Sequence, residues 1–273
     1  MSTQKIDSEK HITTKVLYAM KQKGEKISML TAYDYLTAMF LDAAEIDIIL
    51  VGDSLGNVIQ GNETTLPVTL DEMIYHAKIV KRAVKNALVV ADMSFMSYQV
   101  GVKEAITNCG KMMKETGCDA VKMEGGDYIA ETVRRVVEIG IPVMGHLGLT
   151  PQSINKFGSF KTRGTEKEEA DKIYKDSLML EKSGCFAIVL EKIPAKLGTK
   201  ISKALKIPTI GIGAGPLCDG QVLVTHDMLG LIEDFKPRFV RRYASLAADT
   251  KDAFRKYIKD VKEKKFPTDK ESY

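Results

Sequence analysis

The sequence is poor in cysteine. Its four cysteines, Cys109, Cys118, Cys185 and Cys218, lie far apart and form no CxxC pair. Disulfide frameworks and zinc sites usually draw on more cysteines or on closely paired ones, so this spacing predicts free, buried thiols in a reducing cytoplasm. Residues 1–15 are polar and mixed in charge, without the apolar stretch of a secretion signal, which is consistent with that location.

Long apolar runs and a strong charge of one sign are also absent. No run approaches the ~20 apolar residues that span a bilayer, so no membrane partner is expected. The net charge is only +4, and no basic stripe interleaved with aromatics occurs, so nucleic acid is not expected as a partner either. With 44% hydrophobic residues and no Pro/Gly/Ser linker, residues 1–273 are predicted to form one globular domain with a substantial core.

Eight short apolar segments predict strands. They are Ile27–Thr31, Asp47–Gly52, Leu88–Ala91, Ala120–Val121, Ile141–Gly145, Phe186–Leu190, Pro208–Ile212 and Gln221–Thr225. The strands are rich in Val, Ile and Leu and do not alternate with polar residues, which is typical of a parallel sheet buried on both faces.

Helical patterns separate the strands. They cover Leu70–Lys85, Lys103–Thr116, Tyr128–Ile139, Glu166–Ser183 and Leu197–Leu205. Thr69 and Glu72 form a capping box before the first, and glycine follows the next three as a C-cap. Eight parallel strands with helices between them favour a (β/α)8 TIM barrel over an open doubly wound sheet. An extra helix before about Lys26 is expected to cover the barrel bottom, and Ser245–Lys265 to form a C-terminal helix followed by a tail of eight residues.

Six of the eight strands finish on polar or glycine-bearing tips. These tips are Asp53-Ser54, Asp92, Lys122 with Glu124, His146, Glu191 and Gly213–Gly215. Active sites of parallel β/α proteins lie at the carboxyl ends of the strands. The sequence therefore predicts an enzyme whose active site gathers these side chains.

Asp53 and Asp92 are candidate metal ligands. Each alone is as well explained as a turn residue or helix N-cap. At neighbouring strand ends, however, two carboxylates are the usual ligands of a magnesium ion that keeps several waters. No HxH, HExxH or cysteine cluster offers a softer site, so zinc is not expected.

Lys122 and Glu124 are two residues apart on one strand and so share a face. They could form an internal salt bridge. Alternatively, Lys122 could neutralise a substrate carboxylate or a developing enolate, and Glu124 could order metal-bound waters.

Two histidines are further candidates for the site. His146 is about equally well explained as a satisfied hydrogen-bonding residue or as a catalytic auxiliary. His226, beside Asp227, is only a weak candidate for a catalytic role.

Glu191 ends the most apolar strand, where partial desolvation favours the role of general base. The glycine-rich stretch Gly211–Gly215 could cradle an anion or form a tight turn, but it does not match a dinucleotide fingerprint. The polar, glycine-punctuated stretch from Gly148 to Gly164 is predicted to be a mobile lid.

These motifs, in this order, closely resemble the ketopantoate hydroxymethyltransferase family. The matching stretches are Val51–Gly56 (VGDSLG), Thr65–Thr69 (TLPVT), Ala91-Asp92, Phe95–Tyr98 (FMSY), Val121–Gly126 (VKMEGG), Gly145–Gln152 (GHLGLTPQ), Val189–Glu191 (VLE) and Ile210–Gly215 (IGIGAG). The resemblance extends from about Lys26 to Tyr243. One departure is Met93-Ser94, where the family usually has Leu-Pro; without the stiff proline this turn is expected to be looser.

The resemblance implies a barrel of the phosphoenolpyruvate/pyruvate superfamily, a magnesium ion, and transfer of a hydroxymethyl group from 5,10-methylenetetrahydrofolate to 2-oxoisovalerate, which yields ketopantoate for pantothenate synthesis. By position, Asp53 and Asp92 correspond to metal ligands, with Glu124 in or beside the metal shell. Ser54, Asp92 and Lys122, with Asp53, correspond to the 2-oxoacid site, and Glu191 to the proton acceptor. A homodecamer is implied by the resemblance alone.

Two other functions remain open at this stage. A magnesium-dependent lyase or phosphomutase of the same superfamily would share the fold and metal. Such enzymes carry a cysteine-containing lid motif, and none occurs between Gly148 and Gly164. A non-catalytic regulatory barrel would bind an anion at Gly211–Gly215. Such a protein would not need a positioned base together with Asp53, Asp92 and Lys122.

Overall fold

The structure is a computed structural model that describes residues 11–273. Eight parallel strands pair in chain order, and β8 pairs with β1 to close the barrel. They are β1 Ile27–Thr31, β2 Ile48–Val51, β3 Leu88–Asp92, β4 Ala120–Glu124, β5 Val143–Gly148, β6 Ala187–Glu191, β7 Thr209–Ile212 and β8 Gly220–Leu223. The predicted (β/α)8 fold is confirmed.

Helices alternate with the strands. They are α1 Thr14–Lys23, α2 Tyr35–Ala43, α3 Leu55–Val58, α4 Leu70–Ala83, α5 Val102–Thr116, α6 Ala130–Glu138, α7 Ile154–Phe157, α8 Lys167–Lys182, α9 Ala195–Ala204, α10 Thr225–Met228 and α11 Leu246–Lys262. The sequence patterns did not predict α2, α3, α7 or α10. Residues 213–219 join β7 to β8 without a helix, so this pair departs from strict alternation. None of the helices in residues 11–273 is long and apolar enough to cross a membrane.

Apolar side chains form an inner and an outer core. The inner cluster fills the barrel and includes Ile27, Ile48, Leu88 and Ala187 from the first residues of their strands. Leu17 of α1 packs into the same cluster, so α1 lies across the amino ends of the strands. The outer cluster joins the opposite faces of the strands to the surrounding helices. Residues 1–10, part of the predicted N-terminal extension, lie outside the described residues.

Several strand ends differ from the predicted ones, and the differences bear on the site. Strand pairing continues to Asp92, Glu124 and Glu191, which are therefore the last residues of β3, β4 and β6. β5 begins at Val143, after Pro142, which has no backbone N–H to donate, and it runs through His146 to Gly148. The backbone of these residues is consequently fixed by strand pairing, so their side chains project from strands and not from loops.

The other corrections are small. β8 ends at Leu223, because the chain turns into α10 from Thr225. α4 ends at Ala83, since Val84 adopts an extended conformation. The predicted helices from Tyr128 and Leu197 are α6, which begins after a 3₁₀ turn at Asp127–Ile129, and α9, which begins directly after Pro194.

The chain divides into two compact units. The first ends at Leu223 and contains the barrel; the second is Val224–Tyr273. The second unit contains α10 and α11, which ends at Lys262, three residues before the predicted end. The predicted tail contains a short 3₁₀ turn at Asp269–Glu271, which is capped by Thr268. A single domain over the whole chain therefore stays a prediction.

Candidate active site

The predicted polar side chains converge at the carboxyl end of the barrel. The side chains of Asp92, Lys122, Glu124 and His146 are at most 3% exposed, and Asp53 is likewise buried. Glu191 is more open, with 18% of its side chain exposed. The barrel thus gathers four carboxylates, one ammonium group and one imidazole in a site that is largely shielded from water.

Asp53 and Asp92 lie beside each other. The backbone N of Asp53 donates a hydrogen bond to Asp92 Oδ2 at 3.0 Å. Burial raises the pKa of Asp53 to about 8, and the negative charges of Asp92 and Glu124 add to the effect. Burial also raises the pKa of Asp92, although Lys122 opposes that shift. Burial thus disfavours the ionised form of both carboxyl groups, and a cation bound beside them would favour it.

Ser54 adjoins this pair. Its hydroxyl lies 2.7 Å from the hydroxyl of Tyr33. Gly52 leaves room for the Ser54 hydroxyl and the Asp92 carboxylate. A Cβ atom at Gly52 would lie 2.9 Å from Ser54 Oγ and 3.4 Å from Asp92 Oδ2. The structure therefore places Ser54 next to the aspartates, as the prediction of an oxoacid-binding role requires.

Lys122 is the central cation of the site. Its Nζ lies 2.8 Å from Asp92 Oδ1, 3.8 Å from Glu124 Oε1 and 3.3 Å from His146 Nδ1. Burial by itself would lower the pKa of Lys122, but Asp92, Glu124 and Asp53 together raise the pKa above its ordinary value. Lys122 is therefore an ammonium group in this site, and the predicted salt bridge and the predicted substrate contact are compatible.

His146 connects Glu124 to Glu191. Its Nδ1 lies 3.0 Å from Glu124 Oε1, and its Nε2 lies 3.3 Å from Glu191 Oε2. Burial and Lys122 would lower the pKa of His146, yet the two glutamates raise it to about 9. Burial would raise the pKa of Glu124, but His146 and Lys122 bring it below its ordinary value. Both ring nitrogens of the imidazole thus have a glutamate neighbour, and Nε2 lies next to Glu191, the predicted base.

Two further polar residues belong to the site and received no role in the sequence analysis. Gln152 is buried and donates from Nε2 to Asp53 Oδ2 at 2.9 Å. Tyr98 is also buried, and its hydroxyl lies 2.9 Å from Gln152 Oε1. Tyr98 ends the matching motif FMSY and Gln152 ends the matching motif GHLGLTPQ. These positions were the only indication in the sequence that the two residues belong to the site. Amides and phenols have no single catalytic meaning, so residue type alone could not identify them.

The turn at Met93-Ser94, which lacks the family's proline, is held by hydrogen bonds. Gln152 Nε2 donates to the carbonyl oxygen of Met93 at 2.9 Å. The hydroxyl of Ser97 donates to the carbonyl oxygen of Ser94 at 2.7 Å. Both residues of the turn are buried, and Asp92 keeps its place in the site.

The glycine-rich stretch Gly211–Gly215 packs closely against α9. A Cβ atom at Gly215 would lie 2.5 Å from the Cβ of Ala195, and one at Gly198 of α9 would lie 2.4 Å from the carbonyl oxygen of Ala214. These close approaches favour the tight turn over the anion cradle. His226, the weaker histidine candidate, belongs to α10 in the second unit.

The predicted lid from Gly148 to Gly164 follows β5 and contacts the residue after Glu191. The backbone N of Arg163 donates to the carbonyl oxygen of Lys192 at 2.9 Å, and Lys192 Nζ donates to the carbonyl oxygen of Phe160. The segment is therefore seated next to the predicted base. Its mobility stays a prediction.

The donor set fits magnesium better than a metal that needs many protein ligands. Within residues 11–273, no group of three or more His, Cys, Asp and Glu side chains is arranged to hold a metal ion. Magnesium commonly takes one or two carboxylates and completes its shell with water and substrate oxygens. Asp53 and Asp92 supply two such oxygen donors. Burial raises the pKa of both, and a bound cation would favour their ionised, metal-binding form.

Gly148 supports the position of Glu191. Its φ is +96°, and a Cβ atom there would lie 2.1 Å from the carbonyl oxygen of Glu191. Gly148→Ala is therefore expected to lower the free energy of unfolding by at least about 2 kcal/mol and to lower activity, because the end of β6 must shift. Gly140→Ala is the matched control, since Gly140 has a φ of +94° but no atom within 4 Å of the added Cβ. Equal unfolding midpoints in urea for the two variants would contradict the close contact.

A closed parallel barrel with buried carboxylates and a lysine at its carboxyl end defines a (β/α)8-barrel enzyme. Solved structures share this fold. A putative phosphonomutase from Burkholderia cenocepacia has a TM-score of 0.64 at 11% identity, and the match covers 88% of this chain and 100% of that one. A 2,3-dimethylmalate lyase of the PEP mutase/isocitrate lyase superfamily has a TM-score of 0.59 at 15% identity, over 95% and 91% of the two chains. At these identities the likeness shows the fold alone.

The sequence comparisons define the family. The sequence profile of the ketopantoate hydroxymethyltransferase family matches residues 11–269, and the chain belongs to that family. Relatives named 3-methyl-2-oxobutanoate hydroxymethyltransferase include one from Chlorobaculum tepidum, 59% identical over 96% of both chains. Another, from Parabacteroides distasonis, is 55% identical over 100% of both chains. The predicted family and enzyme class are confirmed.

Proposed function

We propose that this enzyme transfers a hydroxymethyl group from 5,10-methylenetetrahydrofolate to 2-oxoisovalerate and so forms ketopantoate, by way of an enolate. The observation that carries the proposal is the convergence of Asp53, Asp92, Lys122 and Glu191 at one end of the barrel. This reaction requires a site for a cation and an oxoacid, a counter-charge for an enolate, and a base. The four residues supply these three elements.

Asp53 and Asp92 would hold Mg²⁺, and Glu124, which lies 3.8 Å from Lys122 on the same rim, would act through water. When bound, the ion supplies the Lewis acidity that makes the proton next to a ketone easier to remove. Of the two predicted places for Glu124, in or beside the metal shell, its contacts favour the second, because its Oε1 contacts His146 and its Oε2 accepts a hydrogen bond from the backbone N of Gln152.

Lys122 would stabilise negative charge on the substrate. Its ammonium group is buried and already balanced by carboxylates, so it is fixed in place before the substrate arrives. A charge placed in advance in a site shielded from water stabilises developing negative charge more strongly than a solvated one does. Ser54, beside Asp53, would add a hydroxyl contact to the oxoacid.

Glu191 would accept the proton from C3 of 2-oxoisovalerate. It is the one partly open carboxylate of the group, so it can face a bound substrate, and its Oε2 lies 3.3 Å from His146 Nε2. The enolate carbon would then form a bond to the one-carbon unit of the folate, and the bonds between that unit and the folate nitrogens would break. One water molecule would supply the oxygen of the new hydroxymethyl group, and tetrahydrofolate would leave.

Proton exchange tests the first step without the folate. The enzyme with Mg²⁺ in deuterated water should exchange the C3 proton of 2-oxoisovalerate, and addition of 5,10-methylenetetrahydrofolate should yield ketopantoate. Absence of both exchange and product would contradict the proposal. Cleavage of a carbon–carbon or carbon–phosphorus bond in a superfamily substrate would instead favour the lyase or mutase alternative.

Substitutions of Lys122 and Glu124 should have different kinetic effects. Lys122→Ala is expected to weaken 2-oxoacid binding about tenfold or more, because it removes the cation next to an anionic ligand. Glu124→Gln should leave oxoacid affinity closer to normal but change the dependence of the rate on Mg²⁺ concentration. The measurement is the Michaelis constant for the oxoacid at several Mg²⁺ concentrations. If both variants raise it equally and share one metal profile, the two roles are not distinct.

A further inference from the structure

Gln152 joins two of the site carboxylates to the segment that follows β5. It lies in the 3₁₀ turn Pro151–Ser153, at the beginning of that segment. Its side-chain Nε2 donates to Asp53 Oδ2 at 2.9 Å, and its backbone N donates to Glu124 Oε2 at 2.9 Å. One buried residue therefore contacts carboxylates from the ends of two different strands.

The side-chain amide of Gln152 is fully hydrogen-bonded. Its second N–H donates to the carbonyl oxygen of Met93 at 2.9 Å. Its Oε1 accepts hydrogen bonds from the hydroxyl of Tyr98 at 2.9 Å and from Gln99 Nε2 at 3.0 Å. The two N–H groups of the amide thus face two acceptors, Asp53 Oδ2 and the Met93 carbonyl oxygen, which directs its nitrogen towards Asp53.

Tyr98 extends the same network to β4. Its hydroxyl accepts a hydrogen bond from the backbone N of Glu124 at 2.9 Å, in addition to its contact with Gln152 Oε1. The hydroxyl is buried, which raises the pKa of Tyr98 well above its ordinary value and keeps it a neutral donor. Both ends of the Glu124 residue, its backbone N and its carboxylate, are thus held by the Tyr98 and Gln152 pair.

We propose that Gln152 is a positioning residue that fixes the Asp53 and Glu124 carboxylates for Mg²⁺ binding and couples that binding to the seating of residues 151–157. The inference rests on the proposed function. The hydrogen bond to Oδ2 sets the rotation of the Asp53 carboxylate, and the backbone bond sets that of Glu124. If the segment moves away from the strand ends, both bonds are lost together, so metal binding and seating of the segment must favour each other.

Gln152→Met tests the positioning role. Methionine has a similar length but cannot form these hydrogen bonds with its side chain. In calorimetry with 2-oxoisovalerate present, the affinity for Mg²⁺ should fall about 10–100-fold, the usual range for residues that orient metal ligands. The Mg²⁺ concentration for half-maximal rate should rise by a similar factor, while kcat at saturating Mg²⁺ stays near that of wild type. A residue with only a structural role would change thermal stability without shifting this dependence.

Two more variants keep the test decisive. Tyr98→Phe removes the hydroxyl that contacts both Gln152 Oε1 and the backbone N of Glu124, and it should weaken Mg²⁺ binding in the same direction, by about 3–10-fold. Ser202→Ala is the control, because Ser202 is a buried hydroxyl that lies 2.6 Å from Thr209 Oγ1 at the start of β7. It should alter stability and leave Mg²⁺ affinity unchanged.

Hydrogen exchange of the backbone amides tests the coupling. Mg²⁺ with 2-oxoisovalerate should slow exchange in residues 151–157 of wild type, and the slowing should be reduced at least about threefold in Gln152→Met. Wild-type Mg²⁺ affinity in folded Gln152→Met and Tyr98→Phe would overturn the inference. If Gln152→Met does not fold, Tyr98→Phe alone decides. If wild type itself shows no Mg²⁺-dependent binding of the oxoacid, it is the proposed function that fails.

Discussion

Glu191→Gln is expected to bind Mg²⁺ and 2-oxoisovalerate almost normally, yet to exchange the C3 proton at least about a hundredfold more slowly. Glutamine keeps the shape of the side chain and its reach to His146 Nε2, 3.3 Å from the carboxylate in the structure, but it cannot accept the proton. Loss of a positioned general base typically costs about 10²–10⁴-fold in rate. The measurement is the rate of deuterium incorporation at C3, with binding followed separately by calorimetry.

The control for this variant is Glu138→Gln on α6. Glu138 is about half exposed and pairs with Arg134 on the same helix, so its loss should leave proton exchange at the wild-type rate. Near-normal exchange in Glu191→Gln would exclude Glu191 as the base and would direct attention to His146, its neighbour. Loss of metal and oxoacid binding would instead place Glu191 among the groups that bind them.

Asp53→Ala and Asp92→Ala are each expected to abolish Mg²⁺-dependent binding of the 2-oxoacid. They are the adjacent carboxylates, joined by the hydrogen bond from Asp53 N to Asp92 Oδ2, and each variant removes one of the two oxygen donors on which the proposed ion depends. Asp92→Ala should also lower the free energy of unfolding by roughly 3 kcal/mol, because it removes the carboxylate nearest to the buried Lys122 ammonium group, at 2.8 Å. Calorimetric titration and urea unfolding measure the two effects.

Asp42→Ala provides the matched control. Asp42 is also buried, but it accepts hydrogen bonds from the backbone N–H groups of Lys85, Asn86 and Ala87, before β3 begins. Its replacement should destabilise the protein and leave Mg²⁺ binding intact. Wild-type Mg²⁺ affinity in both Asp53→Ala and Asp92→Ala would show that the ion, if one is needed, binds elsewhere.

Much of the barrel could be predicted because parallel strands buried on both faces leave a distinct pattern. Apolar runs such as Leu88–Ala91 and Phe186–Leu190 coincide closely with β3 and β6. The helix α2 was harder to predict, because it begins shortly after β1 and its exposed face is also apolar, with Leu36 and Phe40 more than half exposed. A helix without a polar outer face lacks the contrast on which periodicity depends.

The sequence by itself determined the fold class, the family and the set of polar residues at the strand ends. It could do so because strand ends converge by the topology of the barrel, whatever the detailed contacts are. The sequence could not predict which of these residues contact one another. Lys122 and Glu124 share a strand and could be paired in advance, whereas the contact of His146 with both Glu124 and Glu191 depends on the register of three strands.

Only the tertiary structure decided which residues hold the site in place. Gln152 lies 99 positions from Asp53 in the chain, and Tyr98 lies 54 positions from Gln152, yet hydrogen bonds of 2.9 Å join them. Hydrogen bonds need alignment within a few tenths of an ångström, and no local pattern of residue types encodes a distance between remote segments. The packing of the barrel sets that distance. For this reason the polar residues near the strand ends could be predicted from the sequence, whereas the hydrogen bonds that orient them could not.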